Sequence, residues 1–213
     1  MARGRPRKTD PNNVLDIVMI TFWKRGFEET SMNDLSKATG MAKPGLYATF
    51  GNKEALYAKA LERYSGQIAD PMNNDIVSSP DPLEVVLRRY LDRVASTVMN
   101  KAGPKGCFIA NSLVECSNMP PSLEALSKAN NELRLAAFVK RMKAEKKQGA
   151  LPADADVKAL SSFFSGQVLA VTVMARAGAS KRSLNSFIEV VMTALPARTK
   201  EITGSPHRLA VPR

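Results

Sequence analysis

Two lysines and a run of arginines carry most of the chemistry that this sequence offers. In "AKPGLYATFGNKEAL", Ala42 to Leu56, Lys43 opens one short helical stretch and Lys53 opens the next. Cations at helix starts suit an anionic partner, phosphate above all. A second basic run, "RGRPRK", spans Arg3 to Lys8. The residues that would support catalysis are absent from useful positions. The single histidine, His207, lies in the terminal "TGSPHRLAVPR", and no histidine or acidic partner is placed to activate Cys107 as a nucleophile. No glycine loop of the phosphate-cradling type is present. The chain reads as a binding protein with no enzyme activity and no cofactor.

The charge balance agrees with the lysines. Over 213 residues the formal net charge is +11, which points to nucleic acid first and a membrane surface second, with a solvated basic face accounting for the same number. "KRMKAEKK", from Lys140 to Lys147, would fit a basic helical adaptor, but that alternative leaves Leu46 to Leu56 unexplained. No run of about eighteen uncharged apolar residues appears, and "MARGRPRKTD" lacks the apolar segment of a secretory signal. The expectation is a cytoplasmic protein with no membrane partner and reduced thiols.

The elements that must position these residues read as helices throughout. Asp10-Pro11 starts a helix over about 11–25, with Val14, Leu15, Val18, Phe22 and Trp23 on its apolar side and Gly26 as its stop. Ser31 caps a second, with Asp34 three residues on, ending near Gly40. Pro44 is tolerated only in a first turn, so a third helix starts near Ala42 or Lys43 and ends near Phe50; Gly45 in that turn would admit another backbone. Asn52 caps a fourth that runs towards Ile68, and "MNNDIVSSPDP", Met72 to Pro82, reads as a break. Further helices are expected over about 83–98, 107–117, 122–147, 155–177 and 181–195. Nothing alternates with period two, so the fold class is all-α. Two short helices joined through Thr39-Gly40-Met41 have the size of a helix-turn-helix, whose second helix would carry Lys43 at its reading end. An ordinary helical hairpin with surface lysines fits the same pattern.

Residues 10–60, with "VLDIVMITFWKRGFEETS" and the box Leu46, Tyr47, Phe50, Lys53 and Leu56, resemble the DNA-binding domain of TetR-family transcriptional regulators. The resemblance implies about nine helices: a basic arm over 1–9, a three-helix helix-turn-helix domain over 10–55, a ligand-binding and dimerisation domain over 56–195, and a flexible tail over 196–213. It further implies a homodimeric repressor on a palindromic double-stranded operator, released by a small-molecule inducer. Lys43, Pro44, Gly45, Tyr47, Ala48 and Thr49 fall on the implied reading helix, with Ser31 and Lys53 as phosphate anchors. Ala42 stands where a serine or threonine is common, and Ala48-Thr49 where histidine-tyrosine is frequent, so base preference should depart from that of most relatives. Arg3, Arg5 and Arg7 resemble an AT-hook core or serve as a basic tail near DNA.

"GCFIANSLVEC" resembles a subgroup with glycine-cysteine at the start of the sixth helix, in some members of which that cysteine is the sensing thiol. Cys107 is the matching position; the helix start and Lys105 would favour its thiolate, whereas a small buried residue is the plainer reading. Tyr90, Cys107, Phe108, Asn111, Phe163, Phe164 and Gln167 are the candidates for lining an inducer cavity. Cys116 and Met119 have a spacing that a soft metal such as Cu(I) could use, below a core reading. Phe164, Val168, Val171, Leu184, Phe187, Ile188 and Val191 could pair the last two helices with those of a second copy. Activation in place of repression is the remaining alternative.

Overall fold

The computed structural model describes residues 10–100, 103–115 and 118–196, and among them the chain is helical with no strand. The elements are α1 (Pro11–Arg25), α2 (Met32–Thr39), α3 (Lys43–Phe50), α4 (Lys53–Tyr64), a π-helical turn (Ser65–Ala69), α5 (Asp70–Ser78), α6 (Leu83–Val98), α7 (Phe108–Glu115), α8 (Pro121–Lys147), α9 (Val157–Arg176) and α10 (Lys181–Met192). With α4, the π turn and α5 counted as one continuous rod, nine helices are described, as expected.

Local chemistry sets the starts. The Asp10 carboxylate accepts from the Asn12 amide at 2.9 Å, and Asn52 Oδ1 accepts from the Ala55 amide at 2.9 Å. Ser31 and Asp34 form a reciprocal capping box on α2. Arg25 adds an ion pair to Asp34 at 3.0 Å, and these partners hold the Asp34 carboxyl well below the usual range.

The expected break over Met72 to Pro82 is narrower than the sequence suggested. The rod continues to Ser78, because the wider π turn comes just before Pro71 and accommodates its missing N–H. Met72 and Ile76 are buried, which draws this stretch into the core. The stop comes from Arg141 of α8, whose guanidinium donates to the carbonyls of Ile76 at 3.2 Å and Ser79 at 2.6 Å, and to that of Asp81. Glu145 balances it at 2.7 Å.

Two apolar cores result. The first joins α1–α4 to Phe108, Ile109, Met119 and Leu123, so α7 and the start of α8 close the helix-turn-helix unit from behind. The second gathers α5, α6, α8, α9 and α10 around Leu87, Phe138, Phe164 and Ile188.

Candidate nucleic-acid interface and the cavity behind it

The turn between α2 and α3 is held from both sides. Gly40 adopts φ +70, which a glycine takes without penalty. The Ser36 hydroxyl donates to the Met41 carbonyl at 2.8 Å, and the Met41 amide donates to the Thr39 hydroxyl at 3.2 Å. Leu46 and Phe50 then clamp α3 into the first core. The opposite face of α3 is free: Lys43, Pro44, Ala48 and Thr49 are exposed, and Tyr47 is 49% exposed. Gly45 is half-buried and meets the Met41 side chain, not another backbone, so the close approach expected there does not occur.

The two expected anchors have intramolecular partners already. The exposed Ser31 hydroxyl is bonded to Asp34 and caps α2. Lys53 Nζ sits 4.1 Å above the Phe27 ring, a cation–π contact that positions the ammonium at the start of α4. Arg3, Arg5, Arg7, Cys116 and His207 lie outside the described residues.

Behind this face, α7 ties the two cores together. Trp23 Nε1 donates to the Gly106 carbonyl at 3.0 Å. Ser112 donates to the Phe108 carbonyl at 2.8 Å, so in the 2.6 Å bond between Tyr57 and Ser112 the donor is the tyrosine hydroxyl. Burial pushes the Tyr57 phenol above its ordinary value. Glu115, the last residue of α7, accepts from the Phe27 amide in the α1–α2 turn. The Gly26 backbone lies so close to that carboxylate that a Cβ would overlap it.

Next to α7 is a narrow cavity with about 30 Å³ open to a water-sized body, partly open to solvent and walled in part by Tyr64, Met72, Tyr90, Cys107 and Val168. Its mostly apolar wall with a few polar groups is of the kind that receives a small molecule, for which the walls would have to move apart. The Tyr64 hydroxyl donates to Cys107 Sγ at 3.3 Å, and burial raises the phenol well above its usual value. Of the residues expected to line such a site, only Tyr90 and Cys107 do. Phe108 packs edge-on against Tyr57 and Tyr64 in the first core, and Asn111 is buried with its amide donating to the Lys105 carbonyl at 3.0 Å. Phe164 is in the second core, Phe163 is 40% exposed, and Gln167 bonds back to Phe163. The sequence reading missed Tyr64, Asn73, Asn130 and Arg134, all of which line the cavity. No group of three or more potential metal ligands occurs among the described residues, and Met119 is buried in the first core.

The pairing face also differs from expectation. Phe164, Val168, Val171, Leu184, Ile188 and Val191 are buried within the chain, because α9 packs on α6 and α8 and α10 packs on α6. They are not available to a second copy. What remains outward on α9 and α10 is Phe163, Val173 at 51% and Val190 at 68% exposure, with Leu169 and Phe187 half-buried. Among the described residues α9 is the one helix long and apolar enough to cross a membrane by length and composition, and 33% of its apolar window is buried in the bundle.

Comparison with known proteins places both halves. Residues 18–60 match the model of bacterial regulatory proteins of the tetR family, and residues 85–191 match that of the tetracyclin repressor-like C-terminal domain. The chain is 29% identical to the HTH-type transcriptional repressor ComR of Escherichia coli K12, over 93% of this chain and 95% of ComR. It is 27% identical to the HTH-type transcriptional regulator YezE of Bacillus subtilis 168, over 90% of this chain and 99% of YezE. The TetR-family regulator CifR, solved with cysteine substitutions on 26-base-pair operator DNA, superposes with a TM-score of 0.81 at 27% identity, over 91% of this chain and 100% of CifR. With the helix-turn-helix geometry and both family models in agreement, the chain belongs to the TetR family of DNA-binding transcriptional regulators.

Proposed function

We propose that this regulator is a homodimeric repressor, acting in the cytoplasm and released from a palindromic operator when a small molecule occupies the cavity beside Tyr64 and Cys107. The observation that carries the reading is the division of α3: Leu46 and Phe50 face inward, while Lys43, Pro44, Tyr47, Ala48 and Thr49 face solvent along one short helix. Such a helix enters a major groove with its N-terminal end foremost. Repression, in place of activation, is the sense suggested by ComR and by the operator complex of CifR. Residues 10–55 read DNA and residues 56–195 sense and pair. The outward apolar face of α9 and α10 supports a two-fold pair.

Release follows from a shift between two dimer geometries. Tyr64 belongs to the rod that enters the first core, and Cys107 leads into α7, which holds Trp23, Tyr57 and Phe27. A molecule wedged between them alters the tilt of each reading head. The two heads then miss half-sites about 34 Å apart. The second reading, a thiol switch, rests on the Tyr64–Cys107 bond: addition of the sulfur to an electrophilic carbon would break it and fill the same space. A Cu(I) site has less support, since Met119 is enclosed by the first core.

Selection from a random duplex library, followed by gel shifts over a salt series, tests the central claim. The expected product is an inverted repeat bound by one or more dimers, with affinity falling steeply as salt rises. Recovery of a site without two-fold symmetry would overturn the proposed dimer. For the thiol reading, Cys107→Ser should bind the same site and no longer respond to a mild electrophile; an unchanged response removes Cys107 as the sensor.

A further inference from the structure

Arg134 of α8 lines the cavity and is only 4% exposed, yet among the described residues it has no carboxylate partner. Arg141, the other buried arginine among the described residues, is neutralised by Glu145 and spends its remaining donors on backbone carbonyls. Arg134 has only neutral acceptors. Its Nε donates to the Ser165 hydroxyl at 3.2 Å and its Nη2 to Asn131 Oδ1, while Nη1 has no bonded partner among the described residues. A guanidinium cannot shed its proton at physiological pH, so its charge persists in the buried wall. Burial of an ion without a counter-ion is costly, and an arriving anion would relieve that cost.

The rest of the wall agrees. Among the described residues no aspartate or glutamate lines the cavity, and its polar groups besides Arg134 are neutral, among them Asn73, Thr97 and Asn130. The hydrocarbon side is supplied by residues such as Ile68, Met72, Val94, Val98 and Val168. Tyr90 feels both parts: burial pushes its phenol up, and the charge of Arg134 pulls it back. Building on the reading of this cavity as the effector site, we propose that it takes a small amphipathic anion, a carboxylate on a compact hydrocarbon, with the carboxylate on Arg134. Two parallel N–H donors of a guanidinium match the two oxygens of such a group. A neutral molecule of the same shape would leave the buried charge uncompensated.

Calorimetric titration of the full-length protein with octanoate, octanamide and octylamine tests this directly. Octanoate should bind at least about tenfold more tightly than octanamide, and octylamine should bind weakest of the three. In Arg134→Met the preference for octanoate over octanamide should vanish while octanamide binding persists; Arg134→Lys should keep part of the preference. Melting followed by circular dichroism checks that each variant is folded. Equal binding of octanoate and octanamide to the wild type overturns the anion proposal and leaves the cavity as a neutral-ligand site, a result that needs no variant. Binding of octanoate that survives both Arg134→Met and a cavity-filling Met72→Trp places the ligand elsewhere and overturns the proposal. No binding of any probe at millimolar concentration overturns the proposal together with the effector-site reading.

Discussion

Thr49 and Lys53 lie four residues apart and are expected to contribute in different ways. Lys53 is held at the start of α4 by the Phe27 ring, and an ammonium there can meet phosphate but no base. Lys53→Ala should therefore weaken binding to all sequences alike and lower the salt slope by about one phosphate contact. It also removes a cation–π contact worth roughly 0.5–1 kcal/mol of stability, so a small fall in melting temperature should accompany it. Thr49 is exposed on α3 and carries a methyl that can touch a thymine methyl. Thr49→Ala should change preference at particular base pairs; a uniform loss across a panel of operator variants would remove it as a reader. The helix starts were legible because each rests on local chemistry: Asp10, Ser31 and Asn52 cap the helices that the sequence assigned to them. Arg134 left a weaker signal. It shares a buried face of α8 with Ala137, Phe138 and Arg141, but α8 has too weak an apolar period for the sequence to mark that face as inward.

At the scale of elements, α7 decides how the reading unit is mounted, and Glu115 is its outermost attachment. Burial lifts the Glu115 carboxyl above its ordinary value, against the opposing pull of Arg176 and the Phe27 amide. A carboxyl raised in the folded state binds its proton more tightly than in the unfolded chain. Stability therefore falls as pH rises from the unfolded value of about 4.3 through the folded one, and the full penalty remains above it. Glutamine keeps the acceptor for Phe27 without the charge. The melting temperature of Glu115→Gln relative to wild type should thus be higher at pH 7 than at pH 4, and a difference that is flat with pH would contradict the assignment. Gly26 belongs to the same attachment. Its φ of +85 is strained for any L side chain, and its Cβ position is taken by the carboxylate, so Gly26→Ala should destabilise by more than about 1 kcal/mol. Gly26 was legible as the stop of α1, but its attachment to α7 was not, just as Trp23 and Gly106 are 83 residues apart and only the fold brings them together. The continuation of the rod to Ser78 was hidden for a different reason. A proline after a glycine-containing turn reads as a stop unless the turn widens to i→i+5 bonding, as it does here from Ser65 to Asp70.

For the whole molecule the open surface is the outer face of α9 and α10, and it sets the last prediction. The helical period correctly gave both helices wide apolar stripes, but it could not say which side of a wide stripe faces α6 and α8. Packing uses the side of Phe164, Val168, Leu184 and Ile188 and leaves Phe163, Val173 and Val190 outward. Between Phe163 and Val173 lie Gly166 and Ala170, whose small side chains let a second helix approach closely. Under the proposed two-fold pairing, each copy of α9 and α10 would cover these residues on the other. Val190→Asp changes a side chain that has almost no contacts within its own chain, so the fold should survive and the melting temperature of the isolated chain should move little. In the dimer the same change would bury two carboxylates near the symmetry axis, where like charges and lost hydration both oppose association. Light scattering at micromolar concentration should show a monomer for Val190→Asp and a dimer for the wild type. Binding to an inverted repeat should fall sharply, while binding to a single half-site, weak in both proteins, should be unchanged. A Val190→Asp protein that remained dimeric and bound the full repeat as tightly as wild type would move the interface to another face of the molecule.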